Sequence, residues 1–198
     1  MLAPMLSFTF GVVTSLLATA IWVIAIYIRR TLAIRDLSGV WIEVRHAACP
    51  NPENVCFFEL SYPFFDNSGY RIEGSVYTKE LRRVARWTTM SCAVDQNLAR
   101  IVYFYSGSLT DSPFVTIHGF GLINLGEFSK RTLMKDGYFL DANQAGTPPS
   151  TCDYIHISSI PGLEVLTSLG DLDFAVENLK SPLRERVERV IAERQVRI

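Results

Sequence analysis

No Asp, Glu, Lys, Arg or His occurs from Met1 to Ile28, whereas all 19 basic and all 20 acidic side chains of this 198-residue chain lie beyond Ile28. Leu6 to Ile28 reads LSFTFGVVTSLLATAIWVIAIYI. At ~1.5 Å rise per residue a helix over it is roughly 34 Å long, which crosses a bilayer core once and leaves no room for a second crossing. A cleaved signal peptide is the competing reading, because Ala18-Thr19-Ala20 has the small-x-small form of a cleavage site. The start of the chain carries no basic residue and the apolar run continues to Ile28, so retention as an anchor is expected instead. Arg29, Arg30 and Arg35 follow at once. The positive-inside rule then predicts a single-pass protein with its N-terminus outside and everything after residue 35 in the cytoplasm. Residues 1–35 are read as a transmembrane anchor with a basic stop.

The anchor accounts for a mean hydropathy of +0.18; the remainder has the charge density of one soluble domain. A formal net charge of −1 argues against a duplex nucleic acid as partner, which would require an excess of Lys and Arg to replace phosphate counterions. Cys49, Cys56, Cys92 and Cys152 show no CxxC spacing. In a reducing cytoplasm they are expected to be packing residues.

From Leu37 the pattern changes to short β-type runs between turn residues. Strands are expected over Gly39–His46, Val55–Phe64, Tyr70–Lys79, Val84–Ala93, Arg100–Ser106, Phe114–Leu125, Gly137–Ala142 and Cys152–Ser158. Pro50-Asn51-Pro52, Asp66-Asn67-Ser68-Gly69, Asp95-Gln96-Asn97 and Gly146–Ser150 are among the turns between them. No helix-length segment intervenes, so parallel βαβ units are excluded in favour of an antiparallel meander. Eight such strands remove their edges by closing into an up-and-down barrel of the lipocalin or avidin kind. In one strand Ile101, Tyr103 and Tyr105 share a face opposite Arg100, Val102, Phe104 and Ser106; in another Ile72, Gly74 and Val76 oppose Arg71, Glu73, Ser75 and Tyr77. The chain is thus all-β, with a barrel domain over 36–160 and a C-terminal helical extension over 161–198. That extension is expected to contain an amphipathic helix opened by Ser181-Pro182, with Leu183, Val187, Val190 and Ile191 recurring on one face. Balanced charges from Asp171 onward favour its docking on the barrel or on a partner helix over lying on an anionic membrane.

Motifs for catalysis are missing. His46, His118 and His156 belong to no ligand cluster, and there is no GxSxG, P-loop or dinucleotide fingerprint. Asp136 and Asp141 are read as strand-end and turn carboxylates rather than an acid and base pair. Gly119 and Gly121 are read as admitting close packing. The expectation is a protein that is not an enzyme, with no catalytic residue, metal or cofactor.

Aromatic residues crowd the strands. Phe57, Phe58, Phe104 and Phe139 are assigned to the core, and Trp41, in Gly39-Val40-Trp41, to the barrel floor. Tyr77, Trp87, Tyr103, Tyr105 and Tyr138 carry or neighbour polar groups, which suits stacking of a base with hydrogen bonding at its edge. Arg71, Lys79, Arg82, Arg83, Arg86 and Arg100 form the largest basic grouping. It is either a solvated outer face or a phosphate clamp beside those rings. The ligand-binding set expected from this reading is Tyr77, Arg86, Trp87, Tyr103, Tyr105 and Tyr138. In the anchor, Gly11, Ser15 and Ala18 make a stripe of small residues along which two helices can approach closely.

An uncharged N-terminal membrane helix, a basic stop and an eight-stranded barrel together resemble the membrane-anchored minimal β-barrel effectors of bacterial cyclic-oligonucleotide antiphage signalling (CBASS). Leu37-Ser38-Gly39-Val40-Trp41, Gly69-Tyr70-Arg71-Ile72-Glu73-Gly74, His118-Gly119-Phe120-Gly121 and Gly137-Tyr138-Phe139-Leu140-Asp141 suggest the likeness. It is mainly architectural and covers roughly residues 5 to 160. Members of that family usually carry two membrane helices, where this chain has room for one. The resemblance implies a receptor at the bacterial inner membrane. Its barrel would bind a cyclic dinucleotide made by a partner nucleotidyltransferase, then form a homo-oligomer and compromise the lipid bilayer. Two rival classes differ in their lumen: a tethered calycin-like carrier of a lipid or other apolar ligand requires an uncharged one, and a structural scaffold a filled one.

Overall fold

The computed structural model describes residues 2–34, 37–46, 54–62, 69–95, 98–125, 133–142, 149–178 and 182–195. It divides into two compact units, Met1–Asp36 and Leu37–Ile198.

The first unit is one helix, α1 (Leu2–Ile34), which contains the whole expected span. Gly11–Leu32, with a mean hydropathy of 2.2, is long and apolar enough to cross a membrane. Arg29 and Arg30 lie inside the helix rather than after it. The hydroxyls of Thr14 and Thr19 donate to the carbonyls of Gly11 and Ser15 at 3.0 and 2.9 Å, so neither polar group needs water.

The second unit is built on β1 (Val40–Arg45), β2 (Val55–Ser61), β3 (Arg71–Tyr77), β4 (Arg83–Asp95), β5 (Arg100–Leu109), β6 (Thr116–Asn124), β7 (Leu133–Asp141) and β8 (Ser150–His156). Each strand pairs antiparallel with its neighbours in sequence, and β1 pairs β8, which closes the barrel. All eight expected strands are present. The largest boundary difference is at β7, which begins at Leu133, within a segment the sequence reads as a turn. Its register with β8 shifts between Met134 and Gly137, so the first half of the strand breaks the alternation on which a strand assignment relies.

Period-two alternation divides the barrel's apolar residues between two cores. The lumenal core includes Trp41, Phe58, Ile72, Cys92, Ile101, Cys152 and Tyr154, all buried. Trp41 seals its floor: the indole N–H donates to the Leu37 carbonyl at 2.8 Å, and the ring stacks on Phe58 and meets His156 edge-on. Gly39 is required beside it, because its φ is +100° and a Cβ there would stand 2.8 Å from His156 Nε2.

The second core lies outside the barrel wall. Val40, Ile42, Val55, Phe57, Tyr77 and Ile155 point outward and are covered by the chain that follows β8. That chain makes a 3-10 turn (Ile157–Ser159), α2 (Leu169–Glu177) and α3 (Pro182–Gln195), and it contributes Ile157, Ile160, Leu163, Leu166, Leu169, Leu172, Ala175, Val176 and Val187. Consequently Val40–Glu43 of β1 and Val55–Phe58 of β2 are buried without interruption. The extension lies in the same compact unit as the barrel, and α3 joins the outer core through Val187, with Leu183 partly buried beside it. Val190 and Ile191, expected on the same face, have side chains outside the described residues, as does Ser181.

One expectation is corrected. Phe104 is 53% exposed; standing between the inward Tyr103 and Tyr105, it faces out from a wall that the C-terminal chain does not cover. Helix α2 lies within the expected helical extension, ahead of the Ser181-Pro182 start. Its start is fixed by Ser168, whose side chain accepts from the Asp171 N–H while the Asp171 carboxylate accepts from the Ser168 N–H, a capping box.

Candidate functional site: the barrel lumen

Above the lumenal core the barrel holds a cavity of about 200 Å³, lined among others by Glu43, Arg45, Cys56, Trp87, Tyr103, Tyr105, Phe139 and Asp141. Asn54, Val84, Leu109 and Ser150 also line it. These lie at the strand ends opposite Trp41, so the cavity occupies the half of the lumen away from the floor.

One wall is aromatic. Trp87 and Tyr103 stack at 5.8 Å between centroids with 11° between planes, and Tyr105 lies 5.4 Å from Trp87 and 6.1 Å from Tyr103. Glycines on the neighbouring strands make this possible: a Cβ at Gly74 would meet the Trp87 indole, at Gly121 the Tyr103 ring and at Gly119 the Tyr105 ring. In each case the glycine is the cross-strand partner of the aromatic residue, so the ring lies over bare backbone. Close packing is thus the role of Gly119 and Gly121, as the sequence suggests.

The opposite side is ionic. Arg45 Nε donates to Glu43 Oε1 at 3.0 Å, and the Arg45 guanidinium lies 4.8 Å from the centre of the Phe139 ring. Glu43 is 4% exposed. Burial raises its pKa, and the Arg45 guanidinium only partly opposes that effect. The Tyr105 hydroxyl donates to Asp141. Burial, followed by this bond, holds the Tyr105 phenol far above its ordinary pKa, and burial does the same for Tyr103; both are neutral phenols. Cys56 is kept a thiol by burial. Cys56, Cys92 and Cys152 are buried and in no disulfide, whereas Cys49 lies outside the described residues. Among the described residues no three His, Cys, Asp or Glu side chains converge as metal ligands.

Of the six residues expected to bind ligand, Trp87, Tyr103 and Tyr105 meet in this cavity and the other three lie elsewhere. Tyr77 and Arg86 face outward and converge on Asp173 of α2. The Tyr77 hydroxyl donates to one carboxylate oxygen, while Arg86 and Arg83 reach the other at 3.0 and 3.3 Å. Arg82 pairs with Asp111 on the same side. None of the basic grouping lines the cavity, and Arg83 and Arg86 clamp α2 from outside the barrel. Tyr138 faces outward from β7, 6.0 Å from Phe120, which is itself 5.2 Å from the exposed Phe104. Arg86 and Trp87 are adjacent in one strand and for that reason cannot share a face.

Glu43, Arg45 and Asp141 are absent from the expected set. Their signal is the phase of the strands: with Trp41 inside, Glu43 and Arg45 follow at steps of two, and Asp141 is in phase with Phe139. No family model, curated protein or solved structure matches this chain.

Proposed function

We propose that this chain is a membrane-anchored receptor that binds a cyclic dinucleotide in its barrel, self-associates and compromises the bacterial inner membrane as an effector of antiphage signalling. The observation that carries the reading is the aromatic wall of Trp87, Tyr103 and Tyr105 facing an open, partly polar cavity. Base stacking on such rings is worth ~1–3 kcal/mol per base. Volume sets the manner of binding. Cavities of ~150 Å³ hold one benzene, so about 200 Å³ takes one base and not a whole dinucleotide. One base enters, and the sugar-phosphate ring stays at the mouth, within reach of Arg45 rather than Arg86.

Both rival classes lose support. A carrier of an apolar ligand requires an uncharged lumen, and this one holds Glu43, Arg45 and Asp141; a filled scaffold would leave no cavity among these residues. The anchor, with Arg29, Arg30 and Arg35 after its apolar run, supports a single pass with the barrel in the cytoplasm.

Calorimetric titration of the full chain in nanodiscs with cyclic dinucleotides tests the reading. Tyr105→Ala is expected to weaken binding at least tenfold, the loss of one stacking contact, while Arg86→Ala and Tyr138→Ala leave it unchanged. Fatty-acid binding without nucleotide binding would assign the barrel to a carrier instead.

A further inference from the structure

The polar groups of the lumen are unequal in what they offer a ligand. Arg45 directs its Nε–H at Glu43, and Tyr105 directs its hydroxyl at Asp141. One of the five N–H groups of Arg45 and the single O–H of Tyr105 are thus directed at carboxylates. The carboxylates remain rich in acceptor sites, because each offers about four lone-pair positions and Tyr105 uses one of those on Asp141. Arg45 is engaged by Glu43 and the other acidic side chain of the lining is Asp141, so the interior of the lumen favours a base over a phosphate. A base lying on Trp87, Tyr103 and Tyr105 presents its edge to whatever borders those rings, and Tyr105 is bonded to Asp141.

We propose, resting on the receptor reading above, that Asp141 selects the base: the lumen takes guanine, whose adjacent N1–H and N2–H donors match the two oxygens of one carboxylate, and the preferred ligand is a guanine-containing cyclic dinucleotide. Adenine sets its N1 lone pair beside the N6 amino group, so one of its two edge positions meets a carboxylate with like polarity. Cytosine presents one donor and two acceptors, and uracil a single N–H between two carbonyls. Only guanine puts two donors side by side. Two-point base recognition discriminates by roughly 1–3 kcal/mol, about five- to 150-fold in affinity.

The test compares cyclic di-GMP with cyclic di-AMP on the full chain in nanodiscs. Cyclic di-GMP is expected to bind about tenfold or more tightly. Asp141→Asn still offers an oxygen to the Tyr105 hydroxyl but replaces one acceptor with a donor, so it should bring the ratio of the two affinities toward one; Asp141→Glu should keep the direction of preference. Asp111→Asn, on the outer face, is the control and should change nothing. Equal affinities in the unmodified chain, or preference for cyclic di-AMP, would overturn guanine selection and leave the receptor reading standing. Failure of both nucleotides to bind would overturn the receptor reading itself. Binding of tetramethylammonium in their place would assign the acidic aromatic lumen to an organic cation. The comparison on the unmodified chain decides the matter even where a variant fails to fold.

Discussion

Gly121 has no room for a methyl group, because a Cβ there would enter the Tyr103 ring, and Tyr103 is itself held against Trp87. Gly121→Ala is therefore expected to destabilise the barrel by about 1–3 kcal/mol through overpacking. Gly170→Ala, whose Cβ would make only ordinary contact in α2, should stabilise by up to about 1 kcal/mol; denaturant unfolding of both variants checks the contrast. Glu43 makes a prediction of opposite sign to the usual carboxylate. Its folded-state pKa is raised, chiefly by burial, so the folded state binds a proton more readily than the unfolded one. Stability from this group falls as pH rises through the interval between its ordinary and its raised value. Asp171 behaves conversely, since hydrogen bonds led by Thr167 lower its pKa and their contribution is lost as pH falls. In Glu43→Gln the loss of stability on raising the pH through that interval should disappear, although Arg45 loses a charged partner and overall stability drops. Urea titrations of both proteins at pH values rising from the ordinary carboxylate range read out the difference in slope. These residues also show how far the site is legible in sequence. The rings of Trp87, Tyr103 and Tyr105 declare themselves by size and alternation. Glu43, Arg45 and Asp141 do not, because single polar residues in a strand look the same whether they face water or a lumen. Only the phase set by Trp41 and Phe139 distinguishes them.

Helix α2 is positioned from outside its own sequence. Its N-terminus is capped by Ser168 and Asp171, and the Leu169 N–H also donates to Glu59 of β2 at 3.0 Å. Its buried face, Leu169, Leu172, Ala175 and Val176, completes the outer core. Asp173 then gathers the Tyr77 hydroxyl, Arg83 and Arg86 onto one carboxylate that is 14% exposed. Asp173→Ala strands the buried Tyr77 hydroxyl, which costs about 1–3 kcal/mol, whereas the guanidiniums turn to water at little cost. Hydrogen exchange should show α2 opening faster than β1 and β2 in this variant; uniform loss across the barrel would place the role of Asp173 in the wall and not in the helix. The capping signature Ser168-x-x-Asp171 and the spacing of Leu169, Leu172 and Val176 are readable in the sequence. A nine-residue helix is nevertheless too short for periodicity to compete with the strong Ser181-Pro182 start of its neighbour. The strands are legible because turn residues punctuate them. Which half of the outer wall is covered is not, since that depends on where the C-terminal chain returns.

Among the described residues one helix is long and apolar enough to cross a membrane, and a single helix cannot enclose a pore, so a helical action on a bilayer must come from several copies. Gly11, Ser15 and Ala18 fall on one side of α1 at steps of four and three, and Thr14 borders them with its hydroxyl returned to the Gly11 carbonyl. Such a strip lets two helix backbones approach closely in lipid, where packing rather than hydrophobicity drives association. Under the receptor proposal, ligand-driven association of barrels raises the local concentration of helices until these strips pair. Ser15→Leu together with Ala18→Leu keeps the length and apolar character of the span while filling the strip. Because α1 and the barrel are separate compact units, the double variant should bind cyclic dinucleotide with unchanged affinity. Liposomes loaded with a potential-sensitive dye should then lose ligand-triggered depolarisation. Retained depolarisation would make the strip passive and the helix an anchor alone, and a parallel loss of ligand affinity would contradict the independence of the two units.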